Sequence, residues 1–215
     1  DEGYVRVDVR PASLFDIPLL RRLQAQGVPL DPKRALTRAE SPLMVVLRAP
    51  LALHQQTAYT YLAWLDDAPD ALSGFVQAWS RRQSQTDADI TFIAPALTSD
   101  AMIGRLWARL LEAACWEMAA AGVQRIFASL PADSGEAVPF LNAGFVIFAR
   151  EELLRCQPAP SREGPPAVRL RPQLAADTWA LQRLYAATVP LGVKQAEGLF
   201  GIEGAPEDAP AWMQR

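Results

Sequence analysis

The segment Val7–Leu30 returns, without insertion or deletion, at Val168–Leu191. At this offset of 161 residues, Val7, Arg10, Pro11, Asp16, Leu20, Arg22, Leu23, Ala25, Val28, Pro29 and Leu30 recur unchanged, 11 identities in 24 positions. An ungapped match of that density marks a tandem duplication of one structural unit. Whatever fold the first copy adopts, the second must begin in the same way.

Each copy reads alike in physical terms. A short alternating strand (Val5, Val7, Val9, then Val168 and Leu170) stops at Arg-Pro, because proline cannot donate to a ladder. Asp16 and Asp177 then fall in the first turn of an amphipathic helix, where the dipole favours a carboxylate. Leu19, Leu20 and Leu23 supply its apolar stripe. The second copy has only Val168–Arg215 in which to continue, and a polar, Pro-rich stretch, Gln157–Pro166, separates the two. The expected organisation is one whole domain over 1–156, a linker over 157–167, and the N-terminal part of a second repeat over 168–215.

Half of the 215 residues are hydrophobic and 21% are charged, enough apolar material for a real core. The net charge of −3 and the absence of any dense basic run argue against nucleic acid as a partner. Two cysteines, Cys115 and Cys156, are too few for a disulfide framework or a cysteine zinc site. A lone histidine, His54, weakens any His-ligated metal or Ser-His-Asp reading. No apolar stretch reaches membrane-spanning length, and the first residues carry no signal-peptide pattern. The expectation is a soluble, cytoplasmic chain without a membrane partner.

Between the copies the pattern changes from strands to helix and back. Thr57–Asp66 is aromatic and β-prone, turns at Asp66–Asp70, and is followed by a second strand over Leu72–Ser80, which together predict a hairpin. Asp89–Ala94 is a third strand, stopped by Pro95. Ser99–Ala121 has helical periodicity through Leu106, Leu110, Ala113, Ala114 and Met118, with Gly122 as terminator. A strand over Gln124–Leu130, a short helix over Glu136–Asn142 ending at Gly144, and a last strand from Phe145 complete the order.

That order, with Gly74-Phe75 on the second hairpin strand, Ile93-Ala94-Pro95 before the long helix and Ala143-Gly144-Phe145 after the short one, resembles the GNAT superfamily of acyl-CoA N-acyltransferases. The likeness covers nearly all of residues 5–155, and the second copy resembles the start of another such domain. It implies an α/β fold: a mixed, mostly antiparallel sheet flanked by helices on both faces. It also implies transfer of an acyl group from a CoA thioester, most simply acetyl-CoA, to the amine of a small molecule or peptide.

The resemblance also assigns roles. The family's pyrophosphate loop opens the long helix, where glycines let backbone N–H groups approach the phosphates. The matching stretch is Thr98–Gly104, so Ser99, Met102, Ile103 and Gly104 are the implied cofactor contacts. It offers one glycine, no Arg or Gln, and an Asp100 that would repel phosphate. The backbone of Ile93 and Ala94 would hold the pantetheine arm like an added strand. The family's tyrosine acid, counted back from Phe145, falls on Phe140, which has no proton to give. An asparagine that contacts the cofactor in the family corresponds to Asp133. For the base that takes the amine's proton, Asp89 is a better candidate than Asp87.

Each of these residues also has a plainer reading. Asp87 and Asp89 read equally as solvated strand-edge acids, and Arg81-Arg82 as a solvated strand end rather than an acidic-substrate contact. His54 reads as a loop or packing residue, Cys115 as a small core filler, and Trp107 and Trp116 as core or inter-domain packing. Cys156 has no implied partner, and Ser134-Gly135 lacks the glycines of a nucleophile elbow. Two functions follow as expectations. One is an N-acetyltransferase. The other is an inactive scaffold, having lost both loop and acid, that supports an active second repeat. Unpaired apolar faces in an incomplete second repeat make docking on the first unit or on a partner, homodimerisation included, a compatible expectation.

Overall fold

The computed structural model describes residues 7–30, 57–65, 73–81, 84–132, 134–152, 154 and 171–197. The chain divides into two units, Asp1–Val146 and Ile147–Arg215. The division falls ahead of the Pro-rich stretch, which lies outside the described residues.

The first unit holds one six-stranded sheet: β1 (Val7–Pro11), β2 (Val28–Pro29), β3 (Ala58–Leu65), β4 (Ser73–Arg81), β5 (Ser84–Ala94) and β6 (Arg125–Ala128). The strands run in the order β1-β3-β4-β5-β2, and β6 also pairs with β5. Only the β5–β6 pairing is parallel. Helices α1 (Ile17–Gln24), α2 (Ala101–Ala120) and α3 (Ala137–Asn142) complete the unit. The architecture is therefore α/β with a mixed, mostly antiparallel sheet, as the sequence predicts. No helix among the described residues is long and apolar enough to cross a membrane.

Period-two alternation builds a core on each face of the sheet. Tyr61, Ala63, Val76, Ala78, Ala88, Ile90 and Ile93 pack with Leu106, Trp107, Leu110, Leu111, Ala114 and Met118 of α2 and with Phe140 of α3. Leu62, Phe75 and Ala94 pack on the other side with Leu20 and Leu23 of α1. Ile90 and Ile93 share a face although they stand three residues apart. The β4–β5 register explains this: Gln77 opposes Phe92 and Ala78 opposes Ile90, so Thr91 is an extra residue that bulges β5. Gly74 lets these layers close, since a Cβ there would sit 2.6 Å from the Ala94 carbonyl oxygen and 3.1 Å from Leu106 Cδ2.

Both predicted glycine terminators act as such. Gly122 and Gly144 have φ of 93° and 92°. After α2, the Val123 N–H donates to the Met118 carbonyl (2.9 Å) and that of Gly122 to Ala119 (3.0 Å). After α3, Phe145 donates to Phe140 and Gly144 to Leu141, both at 3.0 Å. These are paired Schellman closures. The predicted last strand from Phe145 does not follow: residues 145–152 join no strand among those described. Phe145–Phe148 is apolar at every position and so carries no alternation, and the Phe145 amide is already committed to the α3 closure. In the opposite direction, β5 starts at Ser84, five residues ahead of the predicted start at Asp89.

The repeat seen in the sequence is a repeat in space. Arg10 grips Asp16 with both terminal guanidinium nitrogens, Nη1 at 2.8 Å and Nη2 at 2.5 Å, and its Nη1 also donates to the Pro11 carbonyl. Arg171 grips Asp177 in the same fork at 2.7 and 2.8 Å and donates to Pro172. A 3₁₀ turn (Leu14–Asp16, then Ala175–Asp177) leads into α1 and, in the second unit, into α4 (Thr178–Thr188), which is followed by α5 (Leu191–Glu197). In the first unit the fork ties the end of β1 to the start of a helix six residues on.

Arg10, assisted by the Ser13 backbone and hydroxyl, holds the buried Asp16 carboxyl well below the usual carboxylate range. Arg171, then the Leu174 amide, lowers Asp177 to about 2. A carboxylate whose folded pKa is depressed stabilises the fold above its unfolded value of about 4 and loses that contribution as the pH falls toward the folded value. Asp16→Asn is therefore expected to lower stability by about 2 kcal/mol near pH 7. The difference from the parent should shrink as denaturant melts are taken from pH 4 downward; a difference constant to pH 2 would contradict the assignment.

Candidate functional site

The candidate site lies where β5 and β6 part. They pair over four residues only, Asp87–Ile90 against Arg125–Ala128. Beyond the bulge at Thr91, the same edge of β5 is taken by β2: Val28 opposes Ile93 and Pro29 opposes Phe92. The Leu30 N–H donates to the Thr91 carbonyl (2.9 Å), and that of Ala96 donates to the Gln26 carbonyl (2.6 Å). Residues 26–30 thus lie along the stretch of β5 that β6 has left.

Gly27 permits this approach. A Cβ there would come within 2.6 Å of Phe92 Cζ and 2.8 Å of Ala94 Cβ. Sequence reasoning missed β2, because two residues, one of them proline, make no strand pattern. The available signal was the return of Val-Pro-Leu in both copies.

The predicted cofactor contacts are described throughout. Ile93 and Ala94 are fully buried. Ile93 sits between Val76 and Val28, so the backbone expected to receive an added strand already has one on either side. Ala94 opposes Phe75. At the start of α2, Ser99 is exposed and Asp100 is the N-cap. The Met102 N–H donates to Asp100 Oδ1 (2.8 Å), and those of Ile103 and Gly104 reach the Asp100 carbonyl at 3.2 and 3.5 Å. The amides that would cradle a pyrophosphate thus point to one aspartate, which brings a negative charge of its own. Met102 and Ile103 pack on the core instead, and a Cβ on Gly104 would meet only open space.

The predicted base, Asp89, stands in the paired half of β5, opposite Trp79 and Phe127. Arg81 Nε contacts both of its oxygens, at 3.0 and 3.1 Å, and Nη2 adds 2.7 Å, while the guanidinium lies 3.8 Å from the Phe127 ring centre. Asp87 is buried and accepts from Arg125 Nε at 2.7 Å. These are cross-strand ion pairs, in which each carboxylate is already occupied by a charged donor. Phe140 is buried between Trp107 and Phe145, edge-to-face with each at 6.3 and 5.1 Å. Its place is a packing position.

Among the remaining residues, Trp107 is fully buried and donates from Nε1 to the Pro95 carbonyl at 2.8 Å. Trp116, read as core or inter-domain packing, lies outside the core of the first unit and is 74% exposed. Burial pushes the Cys115 thiol up to about 11, which suits a filler and not a nucleophile. Ser134 donates to the Pro131 carbonyl (3.0 Å). No cluster of three or more His, Cys, Asp or Glu side chains among the described residues is arranged to hold a metal. His54, Arg82, Asp133 and Cys156 lie outside the described residues.

If β2 depends on the missing side chain at position 27, Gly27→Val should cost about 1–3 kcal/mol by overpacking and speed amide exchange at Leu30 and Ala96. Gly104→Ala, made into open space within a helix, should stabilise by about 0.5–1 kcal/mol. Equal effects of the two changes on the melting temperature would contradict this account. No family model matches the chain, and no curated protein and no solved structure matches it.

Proposed function

We propose that residues 7–146 are an acyltransferase-like repeat that does not carry out transfer and serves as a scaffold for a second repeat. Acyl transfer to an amine asks four things of such a domain. It must hold the thioester arm along a free strand edge, anchor the pyrophosphate on free amides, relieve the amine of a proton, and supply a proton to the departing thiolate. The observation that carries the reading is the first of these: residues 26–30 lie on the β5 edge that the arm would need.

The other three point the same way. The first amides of α2 turn to Asp100, Asp89 is held by Arg81, and Phe140 has no ionisable group. One observation favours the alternative, an N-acetyltransferase using acetyl-CoA: β5 and β6 do part after four residue pairs. A cosubstrate able to displace β2 would find an edge there.

Ligand-dependent melting separates the two. A ligand present at a hundredfold its dissociation constant stabilises by about 2.7 kcal/mol. The expected outcome for this chain is an unchanged melting temperature with millimolar acetyl-CoA. A clear upward shift would overturn the scaffold reading.

A further inference from the structure

Three features that blunt a sheet edge meet on β5 past Ile90. The strand bulges at Thr91, the strand that covers it there has only two residues, and one of those two is a proline. Leu30 turns its N–H to the Thr91 carbonyl, so alternation along the strand turns position 29 outward, where Pro29 has no N–H to give. What lies beneath is an adhesive stretch. From Ile90 to Ser99 the chain carries no charged residue, and Thr91, Phe92 and Ile93 are β-branched or aromatic.

We infer that residues 26–30 are a guard strap: an autoinhibitory contact that keeps this stretch of β5 from pairing with the same stretch of a second copy of the chain. One end of the strap is anchored, because Leu30 is fully buried in the core under α2. The other end holds only while position 27 has no side chain, since a Cβ there would collide with Phe92 and Ala94. The Ala96 N–H closes that end on the Gln26 carbonyl. The strap's shape comes from its own sequence. Val-Pro-Leu returns at 189–191, and Val189 is extended there too (φ −83°, ψ 131°), with no strand paired to it among the described residues. A strap shaped in this way can leave β5 without refolding. The edge it bares is uncharged, so two copies related by a two-fold axis meet no repulsion when they pair antiparallel along it.

The inference rests on the placement of residues 26–30 that carries the proposed function, and not on the loss of transfer. Association is measured without acetyl-CoA, so a melting shift with that cosubstrate would overturn the scaffold reading and leave this one standing. The test uses the full chain with Gly27→Val, or with Gly27→Ala should the larger side chain prevent folding, since either puts a Cβ against Phe92 and Ala94. Amide exchange at Ala96 should be at least tenfold faster than in the parent at low protein concentration. Sedimentation equilibrium should show self-association at least tenfold tighter than the parent's. A synthetic peptide of residues 25–31, added at millimolar concentration, should reverse that association by taking the strap's place. Faster exchange with association no tighter than the parent's would overturn the inference. So would unchanged exchange at Ala96, or association that the peptide leaves intact.

Discussion

The arrangement of the first unit turns on one extra residue in one strand. Side chains alternate along a strand, so a one-residue slip exchanges every inward and outward position beyond it. Thr91 makes that slip inside β5 while β4 runs straight past it. Before the bulge, Ala88 and Ile90 face α2; after it, Ile93 faces α2 while Phe92 and Ala94 face α1. A bulge also increases the local twist of its strand. The edge therefore changes partner at this point: β6 pairs as far as Ile90, and β2 takes over at Phe92. The Thr91 carbonyl accepts from Leu30, so even the bulged residue is tied to the second partner.

The start of α2 follows from the same geometry. β5 ends beneath the helix at Pro95, and the indole of Trp107 reaches its carbonyl from two turns into the helix. The intervening residues must turn the chain and satisfy the first amides of a twenty-residue helix. Asp100 does both locally, through its side chain and its carbonyl. A helix N-terminus satisfied in this way has less to offer an anion than one left open by glycines. The same aspartate that makes α2 a well-formed helix makes it a poor phosphate site.

What was legible in the sequence was local or periodic. The hairpin, the long helix and its glycine closure, and the short helix all rest on patterns within one element, and the structure has them close to where the patterns put them. What was not legible depended on pairing between distant segments. β2 has two residues and no period. The early start of β5 runs through Thr86 and Asp87, polar residues whose place in a sheet depends on Arg125, 38 positions away from Asp87. The bulge has no composition of its own. At the site, the sequence could place Asp89 near the parting strands but could not show that Arg81, across a hairpin, holds it.

The duplicated segment separates these two kinds of information within one chain. Arg10–Asp16 and Arg171–Asp177 make the same fork, each with a bond to the following proline's carbonyl, although the two aspartate side chains differ in exposure, 10% against 29%. The fork therefore belongs to its own seven residues and does not wait for a sheet. The depth of the carboxylate's pKa depression differs, and the sequence explains part of it: Ser13 adds a hydroxyl bond at 2.8 Å that Leu174 cannot make. The leucine stripe behaves in the opposite way. Leu23 is 3% exposed and Leu184, the identical residue at the identical helical position, 58%, because burial is a property of what lies opposite. A local motif can therefore start a repeat, but only a sheet beneath it can finish one.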